Sequence, residues 1–222
     1  MSTPIDRARP ADFAFRAGFA DPVHGAQQAF RTLLSAMAYA GRVHALPPVA
    51  LDGLQPADAD LAPPLPPGLA AGLLALLDAQ TPALLAGACA EAAPWLRFHT
   101  GARAVDAHEP VAFAAARCAD VDAGLCARLA LGSDEAPQDG AMLVIEVDGL
   151  SDATSGSGVA IELRGPGVES VQRLRVDGLP ASFWAWRRAL QGAMPRGVDL
   201  VLTHGTRLAA IPRSSRIEFA EA

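Results

Sequence analysis

Two apolar runs, residues 198–203 and 206–211, are separated only by His204-Gly205. A two-residue connection predicts a β-hairpin with a primed turn, whose central residues take positive φ at one or both positions. Gly205 supplies that freely, and His204 tolerates it better than most residues. Placing Thr203 opposite Thr206 sets Val201 opposite Leu208 and Val198 opposite Ile211. Both faces are then largely apolar, which predicts a hairpin inside a sheet covered on both sides. Pro212 has no N–H for a ladder, so the second strand ends there or lies on an edge.

Upstream, Asp21-Pro22 reads as an N-cap followed by proline at the first helical position. Val23, Ala26, Phe30, Leu33, Leu34 and Met37 then recur at helical spacing as far as Gly41, a plausible stop. Arg31 lies beside that stripe as a solvated flank. Residues 42–46 suggest a short strand. Residues 47–67 hold seven prolines and almost no periodicity, and read as a long surface loop. A mostly buried helix is expected over 69–77, a strand over 83–85 and a helix over 88–98 with a break at Pro94. Further strands are expected over 111–117, 141–147, 159–163 and 171–176. A short helix should cover 125–131, a polar loop 132–140, a Ser/Gly turn 151–158, and an aromatic helix 180–194. Interleaved helices and strands, with two pairs that look antiparallel, predict an α/β fold: a mixed β-sheet flanked by helices. Residues 1–18 read as an N-terminal arm and 19–222 as one domain, with no internal repeat.

Composition narrows the chemistry. The chain has 222 residues, 51% of them apolar, enough for a substantial core, and a net charge of -6 that argues against nucleic-acid binding. No apolar run approaches the roughly 20 residues of a membrane span, and the first 21 residues lack a signal-peptide core. Three cysteines, Cys89, Cys118 and Cys126, have no metal-ligand spacing, so a reduced, cytoplasmic chain is expected. All 18 basic residues are Arg. Without Lys there is no Schiff base, so a pyridoxal-phosphate cofactor is excluded, and so is a Walker A loop. His24, His44, His99, His108 and His204 are scattered without metal-ligand spacing.

No nucleophile elbow, zinc motif or dinucleotide loop occurs. The candidate anion-binding residues are Arg97, His99, Asp199 and Arg213. Alternation over 96–101 would put Arg97 and His99 on one side and Leu96 and Phe98 on the other, with Thr100-Gly101 offering backbone N–H groups. The competing reading makes Arg97 and His99 cations at a helix C-terminus. Asp199 either accepts backbone N–H bonds or faces a loop, or else forms an ion pair or ligand contact. The Arg164-Gly165-Pro166-Gly167 stretch reads as an ordinary turn. Phe183, Trp184 and Trp186 suit a core or a subunit interface. A binding or assembly subunit therefore fits better than an autonomous enzyme.

Several stretches resemble the PhnH family, a subunit of the bacterial carbon–phosphorus (C-P) lyase system. They are Phe19-Ala20-Asp21-Pro22-Val23, Ala26-Gln27-Gln28-Ala29-Phe30-Arg31, and Leu33-Leu34 with Met37. Leu76-Leu77-Asp78 with Thr81, Leu96-Arg97-Phe98-His99-Thr100, Leu131-Gly132-Ser133 with Pro137, and Gly140-Ala141 follow in order. The most specific part is Gly197-Val198-Asp199-Leu200, Gly205 and Ile211-Pro212-Arg213-Ser214-Ser215. The likeness runs from about Phe19 to Glu218. It departs at Ala40-Gly41, where the family has Pro-Gly, and in the longer 47–67 segment.

The resemblance implies a fold similar to the large domain of pyridoxal-phosphate-dependent transferases, without the cofactor. It implies a homodimer in isolation and a core complex with PhnG, PhnI and PhnJ. With PhnI, PhnG and the ATPase-like PhnL, the family supports attack of a phosphonate on the ribose C1 of ATP. Adenine leaves and α-D-ribose 1-methylphosphonate 5-triphosphate forms, in phosphonate catabolism. Later C–P cleavage belongs to PhnJ, with its iron–sulfur cluster and S-adenosylmethionine. Within that scheme Arg97, His99 and Arg213 would contact phosphate oxygens, with Asp199 fixing an Arg. The rivals are a purely structural assembly subunit and an independent transferase or nucleosidase.

Overall fold

A computed structural model of the chain describes residues 16–105, 110–152 and 157–220. Its centre is a six-stranded mixed sheet. In chain order these strands are β1 (His44–Ala45), β2 (Leu84–Leu85), β3 (Phe113–Arg117), β4 (Met142–Glu146), β8 (Asp199–His204) and β9 (Arg207–Ile211), arranged β1-β9-β8-β4-β3-β2. β2, β3, β4 and β8 run parallel, β9 pairs antiparallel with β8, and β1 pairs antiparallel with β9. The parallel strands read as continuous apolar runs because both faces are covered. Val144, Val201, Leu208 and Ala210 point to one side and Leu143, Ile145, Leu200, Leu202, Ala209 and Ile211 to the other, all buried.

One face is covered by α1 (Pro22–Ala38), α2 (Pro67–Leu76) and α3 (Ala93–Thr100). The other meets a second sheet, which the sequence reading folded into the first. This four-stranded antiparallel sheet has the order β10-β6-β7-β5, from β5 (Gly149–Ser151), β6 (Val159–Arg164), β7 (Gln172–Asp177) and β10 (Arg216–Phe219). Its inner positions, Leu150, Ile161, Leu163, Leu174, Val176 and Ile217, join the same core as α4 (Ala123–Ala127) and α5 (Ala181–Ala189). The short, polar β5 and β10 escape a reading based on apolar runs. Their alternation leaves Arg216 and Glu218 outside while Ile217 points in.

The hairpin forms, but one residue later than expected. His204 pairs with Arg207, Thr203 with Leu208 and Val201 with Ala210, so Gly205-Thr206 make the turn. Gly205 has φ +60°, and no described non-glycine residue has positive φ. One glycine at the first central position suits the Gly-first primed turn; His204-Gly205 would have forced histidine into that conformation. The shift moves both strands together, so the inward and outward faces stay as read, and the strand ends before Pro212.

α1 starts at its expected cap, Asp21 Oδ1 accepting from Val23 N and His24 N at 3.0 Å. The buried face differs: Gly25, Ala29, Leu33 and Ala36 pack inward, while Val23, Phe30 and Leu34 are exposed. Residues 96–101 are not a strand. Leu96 is buried but Phe98 is exposed, and α3 ends at Gly101, φ +77°. The 47–67 segment contains 3₁₀ turns at Pro48–Ala50 and Ala59–Leu61 and holds the chain's entry: Ala17 N donates to Leu61 O (2.9 Å) and Ala20 N to Asp52 O (3.0 Å). The expected 125–131 helix is displaced to Ala123–Ala127, Leu129 and Leu131 making single bridges to Val111 and Gly140. The aromatic helix ends at Ala189, followed by a 3₁₀ turn at Leu190–Ala193. His108, residues 153–156 of the Ser/Gly turn, and residues 1–15 of the arm lie outside the described residues.

Candidate functional site

Of the four candidate anion ligands, the fold joins Asp199 and Arg213 and leaves Arg97 and His99 elsewhere. Asp199 is the first residue of β8, beside Met142 at the start of β4. Arg213 follows β9 and Pro212. The carboxylate accepts from Arg213 three ways: Oδ1 from the backbone N–H (2.6 Å), and Oδ2 from Nε (3.0 Å) and Nη2 (2.5 Å). Arg213 Nη1 also donates to Pro137 O, and Nη2 to Gly140 O (3.3 Å). A Cβ on Gly140 would meet Arg213 Nη1, so the loop closes tightly on the guanidinium. Both side chains are mostly buried, 17% and 13% exposed. This is a staple holding the 137–140 loop to the end of the hairpin. It sits at the amino ends of the parallel strands, whereas open α/β sheets bind ligands beyond the carboxyl ends.

Arg187 of α5 stands behind the staple and has no place in the sequence reading. It is 1% exposed, and Nη2 donates to Pro212 O (2.8 Å) and Ser215 O (3.2 Å). Burial pushes its guanidinium down to about 10, and the Asp199 charge opposes that shift. It stays charged at neutral pH and ties α5 to the turn after β9. A lone Arg inside an aromatic helix gives no signal of burial until its partner turn is known.

Arg97 and His99 occupy the last turn of α3, where cations complement the helix dipole. His99 Nε2 lies 3.0 Å from Arg16 O, and its ring meets Trp95 and Phe98 edge-on. Trp95 Nε1 donates to Ala17 O (3.0 Å), so both rings hold the entering chain. Arg97 points to solvent and makes no hydrogen bond or ion pair among the described residues. With Ala93, Pro94, Phe98, Arg103 and Ala104 it lines an open recess of about 680 Å³. Two guanidinium groups on one apolar-floored recess can hold an anion. Arg103 was missed because nothing in the sequence pairs it with Arg97 across the α3 terminus.

The carboxyl ends of β4 and β8 hold another polar knot. Glu146 Oε2 accepts from the Thr203 hydroxyl (2.5 Å) and Oε1 from Gly205 N (3.0 Å), while His204 Nδ1 lies 3.0 Å from Val147 O. These groups lock the hairpin turn. All three cysteines are free and buried. Burial pushes the Cys89 and Cys126 thiols up to about 11, and burial with the Asp148 carboxylate raises Cys118. None is a thiolate at neutral pH. Among the described residues no group of three or more His, Cys, Asp or Glu could hold a metal ion, and no helix is long and apolar enough to cross a membrane.

In α5, Phe183 and Trp184 are buried and Trp186 partly so, the three rings packing edge-on or tilted. They form core between α4 and the second sheet.

The geometry of the described residues defines a three-layer α/β protein with internal polar knots that hold its loops and an open cationic recess at the end of α3. The model of the family described as Bacterial phosphonate metabolism protein (PhnH) matches residues 17–218, and the chain belongs to that family. It is 35% identical over 211 residues to the alpha-D-ribose 1-methylphosphonate 5-triphosphate synthase subunit PhnH of Rhizobium meliloti (strain 1021), covering 92% of this chain and 96% of that protein. It is 32% identical over 218 residues to HtxG of Stutzerimonas stutzeri, described as a candidate C-P lyase subunit, covering 95% of this chain and 93% of the relative.

Proposed function

We propose that the chain is a non-autonomous subunit of a C-P lyase core complex, assembling with PhnG-, PhnI- and PhnJ-type subunits. In that complex it supports transfer of a phosphonate to the ribose C1 of ATP with release of adenine. The observation that carries this reading is near full-length similarity to a synthase subunit, in a chain whose buried acids, thiols and Arg are committed to holding the fold. It works without a cofactor of its own, in the cytoplasm, and is a homodimer when isolated. The absence of Lys supports the cofactor reading. Kinship with the large domain of pyridoxal-phosphate-dependent transferases is part of the proposal, supported by parallel β2, β3, β4 and β8 continued by antiparallel β9.

The anion contact, within this reading, lies at Arg97 and Arg103 rather than Arg213. Arg213's donors are taken by Asp199 and two carbonyls, which favours a structural role for that half of the candidate set. The test is adenine release from ATP and methylphosphonate by reconstituted subunits. The chain alone should release none, and leaving it out of the full set should abolish release. Turnover by the chain alone, or full activity of the set without it, would overturn the proposal.

A further inference from the structure

α1 is apolar on two sides. Its inner side carries small residues, Ala29 and Ala36 with Leu33, toward α2, β9 and the 48–50 turn, and Gly25 under the Phe19 ring. Its outer side carries large ones: Val23 is 63% exposed, Phe30 47% and Leu34 59%. Single exposed apolar residues are ordinary, but three large ones in line along a 17-residue helix form a patch. With Gln27, their positions step by four, three and four, the 3.5-residue seam that one helix presents to another. A strand or an irregular peptide has no such repeat.

The seam's charge selects its occupant. Residues 22–38 contain no Asp or Glu, and the exposed Arg31 makes no ion pair among the described residues. At the helix's end Arg42 lies over the exposed Tyr39 ring, 5.3 Å from its centroid. A second copy of the seam would bring a second Arg31 and no carboxylate on the helix to answer it, since a two-fold contact presents the same residues from both sides. Phe183 and Trp184 are buried, and the partly exposed Trp186 lines with Phe183 a separate small cleft beside α4.

We infer that the outer seam of α1 docks an amphipathic helix of another subunit, with apolar residues at coiled-coil spacing flanked by Asp or Glu. The inference rests on the subunit reading above. The full chain is co-expressed with the other core subunits and complexes are sized by light scattering, with thermal melts of each isolated variant. Wild type should co-purify. F30D/L34D should weaken association by about 100-fold while its melt stays at the wild-type temperature, because both residues face solvent in the free chain. R31E should weaken it by about fivefold and remove part of its salt dependence. If wild type fails to co-purify, the subunit reading falls and takes the inference with it. If wild type assembles and F30D/L34D assembles equally well, the seam alone is refuted. Two further results also refute it: a variant that loses only self-association, which makes a second copy the occupant, or one that acts only after residues 1–15 are removed, which makes it the chain's own segment.

Discussion

Arg213 shows why a motif residue with the right chemistry need not touch a ligand. Its bonds to Asp199 and to Pro137 and Gly140 O join three segments distant in sequence. Removing the guanidinium takes from the largely buried Asp199 its bonded counter-charge, leaving, among the described residues, only the unbonded Arg187 charge nearby. R213A should therefore lose about 3 kcal/mol in chemical denaturation, and Lys should restore little, since it lacks the planar fork. Cys89 gives a pH-dependent counterpart. Burial pushes its thiol up to about 11, so the fold prefers the neutral form. That contribution is complete below the ordinary thiol range and is lost as pH rises through about 11. Between pH 8 and 11 wild type should lose about 2 kcal/mol more than C89A, a difference that cancels other titrating groups. At this scale the sequence marked Asp199 as the costly residue of its strand and left open a loop, backbone N–H bonds or an ion pair; the fold supplies both of the last two. The sequence did not announce Arg187, whose burial depends on a turn 25 residues away.

Small residues decide how closely the elements meet. A Cβ on Gly68, in the first turn of α2, would lie 2.8 Å from Gly205 O, a backbone atom that cannot yield without moving the hairpin turn. A Cβ on Gly72, one turn on, would meet Val144 Cγ1 at 3.9 Å, an ordinary contact. G68A should therefore destabilise by about 2 kcal/mol and G72A stabilise by up to about 1 kcal/mol, through helix propensity, in paired urea titrations. Equal effects would mean that α2 is not seated against the hairpin as described. The same small-residue packing explains a misreading of α1. Its cap was plain, because Asp-Pro has one job there, but its buried side was not. Hydrophobicity points to Phe30 and Leu34, whereas the buried side is Ala29, Leu33 and Ala36, with Gly25 making room for the Phe19 ring of the entering chain. The hairpin was legible for the opposite reason: a two-residue gap with one Gly admits few turns, and the error was confined to which residue came first.

Across the whole molecule, layering separates what the sequence grouped. The parallel strands were readable as uninterrupted apolar runs. The division into two sheets was not, since β5 and β10 are short and half their residues are polar. That division puts the Asp199–Arg213 staple at the amino ends of β4 and β8, with Arg187 behind it from α5, while Arg97 projects from α3 in the opposite layer. Among the described residues the two halves share no hydrogen-bond partner. A double-mutant cycle on R97A and R213A tests this separation directly. R97A alone should cost no more than about 0.5 kcal/mol, since its exposed side chain makes no hydrogen bond or ion pair among the described residues and only complements the α3 dipole, and R213A should carry nearly the whole loss. The double variant should match R213A within about 0.5 kcal/mol, as independent sites do. A coupling above about 1 kcal/mol would mean that the staple and the recess belong to one network, and a single anion pocket spanning both layers would then be the better description of the site.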